Sequence, residues 1–283
     1  MQTQNRIRKH RITKGSVFCN IILMLFTISC IFPLIWTFYS SLKTRSEFAQ
    51  NIISLPKSPQ FSNYLEVFRI SDMPLYMLNS LRNSVISVAL IVIIAFVTGY
   101  LISRFRFRGR GVIYGYYVFG LLVPIHALMV PLFLLYESCG LNDRWYTLVL
   151  PYVAFGLPFA VFLMENYIAS IPKEMEEAAV IEGCSFLRTL FTIIFPMAMP
   201  VITTVVIMQF FTCWNEFPFG LVLLRSDNLR TVSVGLTIFK AQQDMNYPLL
   251  MAAIITSLAP AAILYFILSD KIIKGVVAGA VKG

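Results

Sequence analysis

The chain has 283 residues, of which 58% are hydrophobic and 13% charged. A soluble domain carries about 25% charged residues, so composition excludes a soluble globular protein and indicates an integral membrane protein. The formal net charge of +9 does not mark a nucleic-acid binder, because the basic residues cluster beside long apolar runs and form no basic face on a polar fold.

Residues 1–16 hold Arg6, Arg8, Lys9, Arg11 and Lys14, and Val17 to Tyr39 follow without a charge. That run is too long for a secretory leader and no small-residue cleavage site ends it, so 17–39 reads as a first transmembrane helix behind a cytoplasmic N-terminus. Residues 40–82 are mostly polar, with Pro56, Pro59 and Pro74, and read as an external loop with a short amphipathic stretch at 64–68. A second span is expected at 83–103. Arg104, Arg106, Arg108 and Arg110 come directly behind it and are a sharp positive-inside signal. The third span is expected at 112–136, an external turn at 137–145, the fourth span at 146–164, the fifth at 189–212 and the sixth at 249–268. Between the last two lies an external segment, 214–248, and a cytoplasmic tail, 270–283, closes the chain.

Charge decides the orientation. Segments that face the cytoplasm in an N-in arrangement hold five, four, two (Lys173 and Arg188) and three basic residues; those facing outward hold four, one and three. Both termini and the loop at 171–185 are therefore expected inside. Pro33, Pro124, Pro131, Pro151, Pro158, Pro196, Pro200 and Pro260 fall in or at the ends of spans, which predicts kinked helices. Gly111 and Gly115 have the spacing of a helix-packing pair, a weak signal alone.

The loop at 171–185 is the one polar interruption that itself reads as ordered helix. Ser170 is placed to cap a helix with Pro172 in its first turn, and Glu174, Glu176 and Glu177 favour its positive N-terminal end. Ala178 and Ala179 give a small-sided surface, Gly183 suits a left-handed helix end, and Ser185 can cap the next helix. The residues alone leave two readings open, a docking knob and an ordinary amphipathic loop.

Glu177-Ala178-Ala179, then Gly183, then Ile193 and Pro196, resembles the EAA signature of binding-protein-dependent ABC import permeases. The sequence departs from that signature at Glu182 for Asp, Cys184 for Ala and Phe195 for Leu, while the spacing is kept. Gly99-Tyr100 before the arginine run, Cys139-Gly140-Leu141-Asn142 before a Trp-Tyr pair, Trp214-Asn215-Glu216-Phe217 and the ending Gly279-Ala280-Val281-Lys282-Gly283 resemble the maltose-type carbohydrate branch, in particular its shorter, second permease. The resemblance implies an all-α fold of six transmembrane helices, the type I importer core, with five helices over 83–269 and a cytoplasmic coupling loop at 168–188. It implies that Glu174, Glu177, Ala178, Ala179, Gly183 and Pro196 couple to an ATPase dimer. A second, non-identical permease and an extracytoplasmic solute-binding protein complete the assembly in the lipid bilayer of a bacterial cytoplasmic membrane. ATP and magnesium would be held by the ATPase, for this chain has no GxxxxGK[ST] phosphate loop and needs no cofactor of its own.

Nothing in the spans points to an enzyme or a metal centre: there is no HExxH, no GxSxG and no pair of intramembrane carboxylates. Cys19, Cys30, Cys139, Cys184 and Cys213 show no CxxC spacing and read as small packing residues, with a Cys139–Cys213 bridge left open. His126, Asn215 and Glu216 are the candidates for a solute path; a packing histidine and a solvated helix end are the alternatives. Glu165 and Trp214 are expected at the two membrane–water boundaries. A secondary carrier or channel would require intramembrane charges, which the spans lack. A sugar or oligosaccharide is the expected cargo, with another solute class as the alternative.

Overall fold

The computed structural model describes residues 14–240 and 245–280. The expectations placed on the basic cluster ahead of Lys14 and on Val281, Lys282 and Gly283 lie outside the described residues. Helix α1, Lys14–Ser41, carries apolar side chains all round, and from Val17 to Leu34 they are exposed, as suits a helix whose solvent is lipid or another subunit. Among the described residues four unbroken helices are long and apolar enough to cross a membrane, and up to six spans result when each of two bent helix pairs counts as one. The chain is an all-α, multi-pass membrane protein.

The segment after α1 is more ordered than a polar loop. Helix α2, Arg45–Gln50, starts with a capping box between Thr44 and Glu47. Lys43, fully buried, donates to the carbonyls of Asn51 and Ile52 at 3.0 and 2.9 Å and sits over the Tyr39 and Phe48 rings. Burial pushes its ammonium pKa down, against the pull of Glu47. Helix α3, Ser62–Ile70, extends beyond the expected amphipathic stretch. Helix α4, Met73–Arg104, then begins ten residues before the expected 83, with Pro74 in its first turn. The polar start of α4 is a buried tie. Asn79 donates to the carbonyls of Asn228 and Arg230 at 2.8 and 3.0 Å, and Ser80 accepts from Val232 N–H at 2.9 Å.

The third span is bent. Helix α5, Arg110–Gly120, and helix α6, Ile125–Cys139, meet at 101° across a four-residue break that ends at Pro124. Gly120 allows the chain to approach α7, Val149–Ala169, where a β-carbon would lie 2.8 Å from Pro158 Cγ. Helix α7 extends beyond the expected 164, so Glu165 lies within it. Glu165 is ion-paired with Arg110 at 3.8 Å and 13% exposed. Helices α4 and α7 share the main core with Ile91, Phe96, Tyr100, Met164, Ile194 and Ile202, and only a glycine at 99 fits against the Met164 backbone and Cβ.

After α7 come α8, Glu174–Ile181, and α9, Phe186–Thr189. A π-helical turn at Leu190–Ile194 leads into α10, Phe195–Met197, and α11, Met199–Trp214. The fifth span is bent by 72° around Ala198, where Pro196 and Pro200, both expected to kink it, lack an N–H for the helical ladder. The segment beyond α11 folds back as α12, Pro218–Leu223, and α13, Val232–Gly235, before α14, Tyr247–Ala280, forms the last span and continues past the expected 268. Trp214 does not sit in an aromatic belt. It is 3% exposed and stacks on Phe210 at 5.8 Å between centroids. Cys139 is exposed and Cys213 buried, and both are free thiols, so no bridge joins them.

Candidate functional site

The knob at 170–189 is built by local rules, with two differences from the sequence reading. Ser170 ends α7 instead of capping α8, and Pro172 lies ahead of the helix. The residue before a proline is pushed out of helical conformation, and Ile171 is also held in the core, 6% exposed. Helix α8 therefore starts at Glu174, with Glu174, Glu176 and Glu177 in its first turn. It ends in a Schellman motif: Cys184 N–H bonds the Ala179 carbonyl at 2.9 Å, Gly183 N–H bonds the Val180 carbonyl at 3.0 Å, and Gly183 has φ +79°. Ser185 precedes α9 as expected, but its side chain makes no capping bond.

The surface of the knob also differs. Ala178 is exposed, while Ala179 is 4% exposed and turned inward. Val180, Ile181, Phe186 and Leu187 take its place, and Ile181 reaches 87% exposure. Glu174, Glu177 and Gly183 are exposed on the same knob. Pro196 follows the π turn, in the bend, and belongs to the geometry of α10 and α11.

Sequence reasoning missed the attachment of the knob to α4. Arg104 Nε lies 2.6 Å from Glu176 Oε1, Tyr100 Oη donates to Glu176 Oε2 at 2.8 Å, and Arg104 Nη2 donates to the Ile171 carbonyl at 2.8 Å. The Phe105 and Phe186 rings stand 5.9 Å apart, and each also packs on Tyr100. The available signal was the placement of Tyr100 and Arg104 one turn apart at the end of α4, facing one way.

A second region lies between the start of α7 and the end of α11. A pocket of about 300 Å³ is lined by Ile125, Tyr152, Phe155, Gln209, Thr212 and Glu216 among others. Glu216 is not at a solvated helix end. Its carboxylate accepts from Tyr152 Oη at 3.0 Å and from the N–H groups of Phe219 and Gly220 at 2.5 and 3.2 Å, holding the start of α12. Burial raises its pKa against these three bonds. Asn215 is exposed, and so is His126, in the first turn of α6 beside Ile125. Gln209, the one amide in α11, is 5% exposed and donates to the Gly156 carbonyl at 3.4 Å. Tyr152, Gln209 and Thr212 were not singled out in the sequence, although an amide in an apolar helix is a visible signal. No group of three or more metal-ligating side chains occurs among the described residues.

Similarity to known proteins follows this geometry. The model of the family described as binding-protein-dependent transport system inner membrane component matches residues 91–277. A putative ABC transporter permease protein of Caldicellulosiruptor sp. is 37% identical over 264 residues, covering 93% of this chain and 96% of that protein. A trehalose/maltose transport system permease protein of Thermococcus litoralis is 33% identical, covering 92% of this chain and 94% of the relative. The crystal structure of a bacterial ABC transporter that imports the acidic polysaccharide alginate includes a chain of the same fold, with a TM-score of 0.81 at 23% identity over 92% of this chain and 98% of that one. The architecture is the type I ABC permease core, and the chain belongs to the family of inner membrane components of binding-protein-dependent transport systems, the permease subunits of ABC importers.

Proposed function

We propose that the chain is one of two unlike permeases in an ATP-driven importer of a sugar or oligosaccharide, the shorter member of a maltose-type pair, and that it couples to the ATPase dimer through α8 and α9. The observation that carries this reading is the knob itself. A short pair of helices joined by a Schellman turn between two spans presents Ala178, Val180, Ile181 and Leu187 to solvent, and apolar groups grouped on such a projection call for a groove to cover them. The distribution of basic residues supports a cytoplasmic knob with both termini inside. A solute-binding protein would deliver cargo at the opposite face, as the family's description implies.

The cargo class rests on two supports. The relative from Thermococcus litoralis is named for trehalose and maltose. The outer pocket offers the rings of Tyr152 and Phe155, the Gln209 amide and the Thr212 hydroxyl, while the Glu216 carboxylate already has three donors. Such a lining suits a neutral polyhydroxylated solute better than an ion. His126 and Asn215 are exposed near it and join it as path candidates.

Ala178→Arg tests the docking surface. A long charged side chain where a groove must close should abolish co-purification of the ATPase and leave membrane insertion unchanged. Normal recovery of the ATPase with this variant would place the contact elsewhere. A purified chain that moves solute alone, saturably and down a gradient, would replace the importer reading with a carrier.

A further inference from the structure

We infer that Tyr100 and Arg104 are positioning residues for energy coupling: with Glu176 they form a dehydrated strut that makes the end of α4 move as one body with α8. The inference rests on the reading of α8 as the ATPase contact and adds the route by which its movement enters the bundle.

The loop is joined through the chain to α7 and, by way of α9 and the π turn, to α11. Helix α4 has no such covalent link to α8. Its connection runs through side chains that use both oxygens of one carboxylate. Arg104, whose side chain is 6% exposed, lies 2.6 Å from Glu176 Oε1, and Tyr100, 3% exposed, donates to Oε2 at 2.8 Å. The same guanidinium donates through Nη2 to the carbonyl of Ile171, so it grips the first turn of α8 and the segment that leads into it. The rings of Tyr100, Phe105 and Phe186, with centroids 5.9 to 6.0 Å apart, tie the end of α4 to the start of α9 as well.

A surface ion pair is loosened by water and contributes little. This one is screened far less, because the side chain of Glu176 is 17% exposed and that of Arg104 less. Separating the groups would leave a buried guanidinium without its counter-charge, an outcome far less favourable than keeping the pair together. The contact is therefore held or broken as a unit, as a strut requires. It also explains why Glu176 faces inward while its neighbours Glu174 and Glu177 stay in solvent.

The test uses the full transporter, permease pair plus ATPase dimer, in nanodiscs, with the five cysteines of this chain replaced. Spin labels at Arg106→Cys and Lys173→Cys report the spacing between the end of α4 and the approach to α8, without nucleotide and with ADP–vanadate trapped on the ATPase. The intact strut gives one narrow distance distribution in both states. Glu176→Ala should raise the population of displaced distances roughly 2- to 30-fold. Glu176→Gln keeps the volume and an acceptor for Tyr100 but removes the counter-charge, and it should raise that population too, which a side chain needed only for its volume would not do. Tyr100→Phe keeps every charge, guards against a folding failure, and should broaden the distribution less than Glu176→Ala. An unchanged distribution in Glu176→Ala overturns the strut. Loss of the ATPase from Glu176→Ala, as expected for Ala178→Arg, also overturns it, because Glu176 would then be a docking residue. Retention of the ATPase by Ala178→Arg instead removes the docking reading, and the label distances still judge the strut.

Discussion

Gly183 sits at φ +79°, and no heavy atom lies within 4 Å of where its β-carbon would stand. A side chain there meets a torsional penalty and no clash. Alanine in a left-handed conformation costs about 1–2 kcal/mol, valine more because of its branched β-carbon, and asparagine little because it tolerates this region. If the Schellman turn is what sets α9 relative to α8, that cost divides the population that can dock. The apparent affinity for the ATPase then falls in proportion, by about 5- to 30-fold for Gly183→Ala. The assay is titration of the isolated ATPase onto the permease pair in nanodiscs, for Gly183 and its Asn, Ala and Val variants. The expected order of affinity is Gly, Asn, Ala, Val. Asparagine as damaging as valine would mean that the site excludes side chains by size, against the open space in the structure. Valine binding as well as glycine would mean that the turn does not position the contact.

Glu216→Ala leaves the Tyr152 hydroxyl and two backbone N–H groups without their acceptor, at about 1–3 kcal/mol; thermal unfolding in detergent, read by loss of the monodisperse peak, should move to lower temperature. Asp143, at φ +56°, accepts from the N–H groups of Arg225 and Ser226 at 2.9 and 2.8 Å and from the Ser226 hydroxyl. Burial raises its pKa, but the bonds from Ser226 and Arg225 outweigh that and hold the carboxyl below its ordinary value. Its contribution is therefore complete above the ordinary carboxylate range near pH ~4 and is lost as pH falls through the lower folded value. Limited proteolysis at 137–145 should be slow at neutral pH, faster at strongly acidic pH, and fast at neutral pH in Asp143→Ala. Single cysteines at Ser58 and Asn228, both exposed, should label from outside, and those at Gly109 and Lys173 from inside; labelling of Lys173→Cys from outside would remove the coupling argument.

Long apolar runs made the spans legible, since composition alone decides whether a helix tolerates lipid. Their breaks were only half legible. Pro124, Pro196 and Pro200 mark where the ladder is interrupted, but the bends of 101° and 72° come from what packs beside them, and Gly120 against Pro158 is such a contact. The start of α4 was hidden because Asn79 and Ser80 look like loop residues until their partners, some 150 positions away, are brought in. Glu216 was named as a path candidate, but what holds its carboxylate was hidden, because two of its three donors are backbone groups, which leave no mark in a sequence. In the knob, Gly183 was readable because its conformation is local. The phase of α8 was not, since two adjacent alanines give no sign of which one faces the core, and Ala179 is the one that does.

Helix α8 meets the bundle through two links of different construction. Toward α7 the link is four residues, Ser170 to Lys173, with Ile171 fixed in the core and gripped by Arg104. Helices α4 and α7 cannot slide freely past each other, because Gly99 lies against Met164 and a shift would bring larger side chains into that contact. With the inferred strut in place, a displacement of α8 would reach α4 and α7 together. Toward α11 the path runs through a glycine turn, a four-residue helix, a π turn and a 72° bend between two prolines. The π turn and the proline bend both depart from the regular α-helical hydrogen-bond ladder. Tyr152 on α7 and Gln209 on α11 both line the pocket, and the bond from Gln209 to the Gly156 carbonyl ties the two helices beside it.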